Sequence, residues 1–182
     1  MKRKLTYKGY HAKDPLKYPL FRYHPDPITN GIFVEKEASS CPCCGRETEL
    51  FYEGPFLSDE EIEALCPACI GDGTAAQRYD LEFAEFHPGL KDEEKNEELL
   101  HHTPSYWSFN GPVWLNHCDD WCVYLGQISS DEAKREGLQT ELENDPVWQY
   151  RQKSEGDKWT QIHLFRCLHC GKTLLRVDEF FD

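Results

Sequence analysis

Eight of the nine cysteines fall into four close pairs: Cys41/Cys44, Cys66/Cys69, Cys118/Cys122 and Cys167/Cys170. Only Cys43 stands outside them. Close pairs of thiols are half-sites for a metal that takes four ligands. In C-P-C-C-G and C-L-H-C-G the chain must reverse between the two cysteines, so that both sulfurs aim at one spot. Glycine at Gly45 and Gly171 relieves the strain of that reversal. Each pair needs a partner, and the nearest in sequence are Cys66/Cys69 for the first and Cys118/Cys122 for the second. Cys118 and Cys122 are four apart, so a helical turn brings both to one face. The expected result is two closed four-cysteine sites, each holding a structural zinc ion with Zn–S distances of about 2.3 Å.

Other chemistries carry less weight. A thioredoxin-type C-x-x-C belongs in an α/β context that this pattern lacks. An iron–sulfur cluster also takes four thiolates and stays open as an alternative, as does crosswise pairing of Cys41/Cys44 with Cys118/Cys122. Cys43 reads as a space-filling thiol. His117, beside Cys118, and His169, inside the last knuckle, are candidates to replace a cysteine. The complete cysteine set ranks both as supporting groups. His24 and Asp26 in R-Y-H-P-D-P have no metal explanation. They are the candidates for a non-zinc active site, although a hydrogen-bonded turn histidine is the simpler reading. Asp119 and Asp120 read as solvated carboxylates, and the aromatic run from Tyr106 to Trp121 reads as core beside the metal. No catalytic triad, glycine-rich phosphate loop or H-E-x-x-H element is present.

The elements that must position these residues are short. Residues 1–17 form a basic N-terminal extension, loose or partly docked. Prolines between Tyr18 and Pro27 leave two extended pieces around a turn at Asn30-Gly31. A β-like run, E-L-F-Y-E-G-P-F-L, follows the first knuckle. Ser58 with Glu61 predicts a helix from about Asp59, and Ser129 with Glu132 predicts another that stops near Gly137. Residues 74–86 are partly helical, and residues 87–100 form an acidic, solvated stretch. A helix from Glu141 to Tyr150 is interrupted at Pro146, and the chain closes as strand, knuckle, strand. The fold class is α+β: a small zinc-stapled protein with treble-clef or zinc-ribbon-like knuckles, short strands and two to four helices. Residues 18–100 make the first zinc-binding half and 101–182 the second, packed as one globular unit.

Composition bounds the function. The chain has 182 residues, of which 39% are hydrophobic and 29% charged, and no run reaches the roughly 20 apolar residues of a membrane span. The basic start has no apolar run behind it, so the cytoplasm is the expected compartment, where thiols stay reduced. The net charge is −13, with residues 1–36 at +5 and the remainder at −18. Each zinc bound by four thiolates adds about −2 more. Such a body repels phosphate backbones and attracts basic proteins.

The ordered motifs together resemble the CbrC-like proteins of bacteria. They are P-L-F-R-Y-H-P-D-P-I-x-x-G-I-F, C-P-C-C-G, Y-E-G-P-F, L-C-P-A-C-I-G-D-G-T-A-A and R-Y-D, then T-P-S-Y, W-L-N-H-C-D-D-W-C-V-Y-L-G and L-F-R-C-L-H-C-G-K. The resemblance runs from about Tyr18 to the C-terminus; the segment from Leu138 to Lys158 matches less well. It implies a link to bacterial tolerance of a DNase-type colicin and supplies no catalytic residues. The expectation is therefore an acidic, zinc-stabilised binding or adaptor protein with a basic protein partner. The alternative is a hydrolase- or nuclease-like enzyme built around His24 and Asp26.

Overall fold

The computed structural model describes residues 6–55, 57–59, 61–86, 88–153 and 160–179. In chain order its elements are α1 (Tyr7–Lys13), β1 (Phe33–Ser40), β2 (Glu47–Tyr52), α2 (Pro67–Gly71), α3 (Thr74–Tyr79) and α4 (Glu93–His102). There follow β3 (Asn116–His117), β4 (Asp120–Trp121), β5 (Val123–Ile128), α5 (Ser130–Arg135), α6 (Gln139–Asn144), α7 (Pro146–Lys153), β6 (Thr160–Arg166) and β7 (Thr173–Glu179). The α+β class is as expected, although the described residues hold seven helices rather than two to four. All strand pairing within the three small sheets is antiparallel: β1 with β2, β3 with β4, and β5-β6-β7. No described helix is long and apolar enough to cross a membrane.

Local signals account for several elements. Ser129 and Glu132 form the expected reciprocal capping box at the start of α5, which ends before Gly137 at φ +76°. Pro146 divides the next helical stretch into α6 and α7, and Asp145 between them accepts from the backbone N–H groups of Val147 and Trp148. Thr6 caps α1 by accepting from Gly9 N. Part of the N-terminal extension is thus docked: Tyr7 and Tyr10 are buried, and Tyr7 stacks on Phe33 at 5.7 Å. Residues 1–5 of that extension lie outside the described residues.

Two expectations are corrected. No described residue between 59 and 65 is helical. The Ser58 hydroxyl donates to the Tyr79 carbonyl, and isolated bridges join Leu57 to Glu82 and Tyr52 to Leu65. The acidic stretch after Pro88, read as a solvated boundary, contains α4. Asp92 caps that helix by accepting from Lys95 N, and Leu99 is buried.

One core runs through both sequence halves. It joins Tyr7, Phe21, Tyr23, Phe33, Tyr52 and Phe83 to Tyr106, Trp114, Trp121 and Phe165. A smaller cluster of Leu138, Leu142, Ile162, Leu164 and Val177 seats α5 and α6 on the three-stranded sheet. The aromatic run divides: Tyr106, Trp114 and Trp121 are buried, while Trp107 and Phe109 are exposed. His24 sits where the halves meet, fully buried. Its Nδ1 lies 2.9 Å from the Pro104 carbonyl, its Nε2 lies 3.0 Å from Asn30 Nδ2, and its ring stands edge-on to Tyr124. Tyr124 N donates to the Tyr23 carbonyl alongside it.

Burial holds His24 and His163 neutral, lowering each imidazole to about 4 from an ordinary 6.5. The unfolded chain therefore takes up these protons first on acidification. Their stabilising contribution is complete above about pH 6.5 and is lost as pH falls toward about 4, at up to about 1.4 kcal/mol per pH unit for each ring. Denaturant midpoints at pH 7 and pH 5, measured with metal in excess, should accordingly differ less in His24→Gln than in the wild type.

Candidate metal centres

Among the described residues, two groups of ligand atoms converge, each with all atoms within 4.8 Å of one another: Cys41, Cys44, Cys66 and Cys69 in the first, and His117, Cys118, Cys167 and Cys170 in the second. Both could hold a metal ion. All nine cysteines are free thiols.

The two C-x-x-C-G knuckles fold alike, as their sequences require. In the first, Gly45 N donates to Cys41 O and Cys41 N to Arg46 O, each at 2.8 Å. In the second, Gly171 N donates to Cys167 O at 3.1 Å and Cys167 N to Lys172 O at 2.8 Å. Gly45 and Gly171 have φ of +72° and +73°, the left-handed region that a side chain disfavours. An added Cβ at either position meets nothing within 4 Å. The glycine requirement is thus conformational rather than steric.

The first cluster pairs its knuckle with the start of α2. Cys66 is the N-cap residue, its sulfur accepting from Cys69 N, and Pro67 opens the helix where a missing N–H costs nothing. The Cys41–Cys69 and Cys44–Cys66 sulfurs are 3.8 and 3.4 Å apart. A zinc tetrahedron with bonds of about 2.3 Å has S···S edges of about 3.8 Å. Hydrogen bonds from Cys66 and Cys69 push the Cys41 thiol far down, while the sharing of those bonds with Cys41 pushes Cys66 and Cys69 up. Crowded sulfurs cannot all ionise until a cation compensates them. Cys43 is buried but lies outside the ligand group; its carbonyl accepts from Arg78.

The second cluster departs from the expected set of four cysteines. His117 stands in the place assigned to Cys122. Its Nδ1 lies 3.1 Å from Cys118 Sγ and 3.5 Å from Cys170 Sγ. Cys118 and Cys122 do not share a helical turn, because β3 and β4 form a two-residue hairpin in which Cys118 and Asp119 take φ of +55° and +54°. Cys122 leaves that hairpin for the core, fully buried. Its N–H donates to Leu115 O, and its carbonyl accepts from Trp114 Nε1 at 2.8 Å. Burial, with the nearby sulfurs, pushes its thiol up to about 12. The adjacency His117-Cys118 is the sequence signal for the observed set; without the hairpin it ranks below a fourth cysteine.

Asp120, read as solvated, is fully buried in this hairpin. Its carboxylate accepts from Arg22 Nη2 at 2.6 Å and from Tyr23 OH, His169 Nε2 and Trp121 N at 2.9 Å each. Burial by itself raises such a carboxyl. The hydrogen bonds from His169 and Tyr23, with the Arg22 charge, outweigh burial and hold it below the usual range. Asp120 thereby joins the last knuckle, through His169, to the Arg22-Tyr23-His24 segment. Asp119 stays exposed at the turn. His24 and Asp26 do not form an open site: His24 is enclosed, and Asp26 Oδ1 accepts from Thr29 N at 3.5 Å.

A family profile described as an uncharacterised protein family, UPF0167, matches residues 18–179. The chain belongs to that family. A UPF0167 protein of Mycobacterium bovis and one of Mycobacterium tuberculosis are each 34% identical to it over 178 residues, covering 90% of this chain and 95% of theirs. A UPF0167 protein of Pseudomonas aeruginosa is 33% identical over 173 residues, covering 88% and 96%. No solved structure matches the chain. The matched region contains both ligand clusters, and α1 precedes it. None of these names speaks of a colicin.

Metal analysis of single variants separates the two candidate fourth ligands. His117→Ala should lose about one equivalent relative to the wild type, whereas Cys122→Ala should keep the wild-type content while losing stability. Gly45→Ala should keep its metal and lower stability by about 1–2 kcal/mol, as read from the denaturant midpoint.

Proposed function

We propose that this is a zinc-stapled binding protein in which two structural zinc ions hold an acidic body that engages a basic protein partner. The observation that carries the reading is the pair of closed four-donor clusters. Sulfur-rich tetrahedral donor sets favour zinc, and four protein ligands leave no position for a water or substrate. The ligands come from segments far apart in sequence, so metal binding couples to folding. In each site the zinc would do what a larger apolar core does elsewhere, by tying loop-rich chain into one unit.

The charge of the body supports the choice of partner. Asp92, Glu93, Glu94 and Glu97 are exposed along α4, and Asp131, Glu136, Glu141 and Glu143 along α5 and α6. Opposite charges speed association and make it sensitive to salt. A nuclease domain, basic because it binds phosphates, is a partner of this kind. The colicin tolerance implied by the CbrC-like resemblance attaches to the reading at that point.

A pull-down of the tagged protein from native lysate at about 0.1 M and about 1 M salt, where the Debye length falls from about 10 Å to about 3 Å, tests this. A basic protein retained at low salt and released at high salt is expected. Glu93→Gln combined with Glu94→Gln should slow its association. Tight duplex DNA binding at physiological salt, or no basic partner at either salt, overturns the binding reading. A metal content of iron rather than zinc overturns the staple.

A further inference from the structure

The two ligand clusters are open to solvent to different degrees. In the first, Cys41, Cys66 and Cys69 are buried in the large core and Cys44 is half-buried. In the second, Cys167 is buried, but Cys118 and Cys170 are exposed. Those two sulfurs come from segments far apart in sequence, yet they lie within 4.8 Å of each other. We infer, on the zinc reading of the clusters, that Cys118 and Cys170 are a site of reversible oxidation. There a hydroperoxide joins the β3–β4 hairpin to the last knuckle by a disulfide and expels the metal of that cluster alone.

The thiolate is both the metal ligand and the nucleophile, and its oxidation follows exposure. One exposed sulfur attacks a peroxide oxygen; the O–O bond breaks, a sulfenic acid forms, and the hydroxide that leaves is protonated to water. The other exposed sulfur attacks the sulfenic sulfur; the S–S bond forms, the S–O bond breaks, and a second water leaves. Two thiolates, one hydrogen peroxide and two protons thus give one disulfide and two waters, with two electrons passing from sulfur to oxygen. The zinc ion is freed because only His117 and Cys167 of its four ligands remain.

The fold keeps the two segments together without the ion. β5 leaves the hairpin at Val123, which pairs with Arg166, the last residue of β6 before the knuckle. His169 Nε2 lies 2.9 Å from the buried Asp120 carboxylate, and Cys167 Sγ lies 3.6 Å from the His117 carbonyl. Loss of the metal therefore does not scatter the sulfurs, and the thiols can be regained by reduction. Cys122, beside the same cluster, is fully buried and stays a thiol, as does Cys43 beside the first.

The full chain, with its metal content measured first, is treated with hydrogen peroxide at neutral pH while a chromophoric chelator reports free zinc. The expected result is release of one equivalent with the loss of two thiols, the other equivalent leaving at least about tenfold more slowly. Mass spectrometry of the unreduced digest should find Cys118 joined to Cys170, and dithiothreitol with added zinc should restore both thiols and metal. Cys122→Ala removes the other sulfur close to Cys118 and should give the same link. Release of both equivalents together, a link that omits Cys118 or Cys170, or thiols that survive the peroxide overturns the inference. The metal content before treatment judges the zinc staples separately, since the disulfide map reads the sulfurs whichever ion they held.

Discussion

Four polarisable donors held within 4.8 Å of one another are the constraint around which this chain is arranged, and it occurs twice. Sulfurs at that spacing repel once ionised, so the arrangement is economical only if a cation shares them. Everything near them is cut to that requirement. The knuckles reverse over left-handed glycines, Cys66 replaces an ordinary helix cap, and the β3–β4 hairpin turns on two residues in the left-handed region. Such backbone conformations are costly for cysteine and aspartate. They persist where the surrounding structure over-determines them.

Asp120 shows how the second cluster is tied to the rest of the molecule. A fully buried carboxylate is costly by itself, and breaking a buried charge pair by removing one partner strongly destabilises a fold. Here Arg22, Tyr23, His169 and a backbone N–H compensate it together. Because Arg22 and Tyr23 come from the start of the family-matched region and His169 from its end, this one group brings the two ends together. His24 follows in the next position and seals the same junction through Pro104, Asn30 and Tyr124. The R-Y-H segment therefore works as a clasp, which is why its histidine is enclosed rather than presented to a substrate.

The two ligand clusters differ in setting. The first is mostly buried against the large core, while Cys118 and Cys170 of the second are exposed. The first is surrounded by aromatic and aliphatic groups such as Ile70, with Cys43 packed beside it. The second relies on the Asp120 network. An apolar shell and a polar network are alternative ways to orient ligands, and in the second the orientation depends on charges held in one geometry.

Much of this was legible in residue types and spacing. The C-x-x-C-G knuckles, the capping box at Ser129, the break at Pro146 and the closing strand–knuckle–strand follow from local chemistry, because each depends on residues within a few positions of one another. Seven of the eight expected ligands also join the clusters, and Cys41/Cys44 meets Cys66/Cys69 in sequence order. What failed depended on distant partners. Ser58 has a cap's sequence but gives its hydroxyl to Tyr79, and Asp120 resembles its solvated neighbour until Arg22 and His169 arrive from far along the chain. Residue type and spacing favoured Cys122 over His117. The choice was made by a hairpin that turns at Cys118-Asp119 and by a core that draws Cys122 inward beside Trp114. Sequence determined which residues could bind metal; the tertiary packing decided which of them converge, because burial and chain direction are properties of the whole fold.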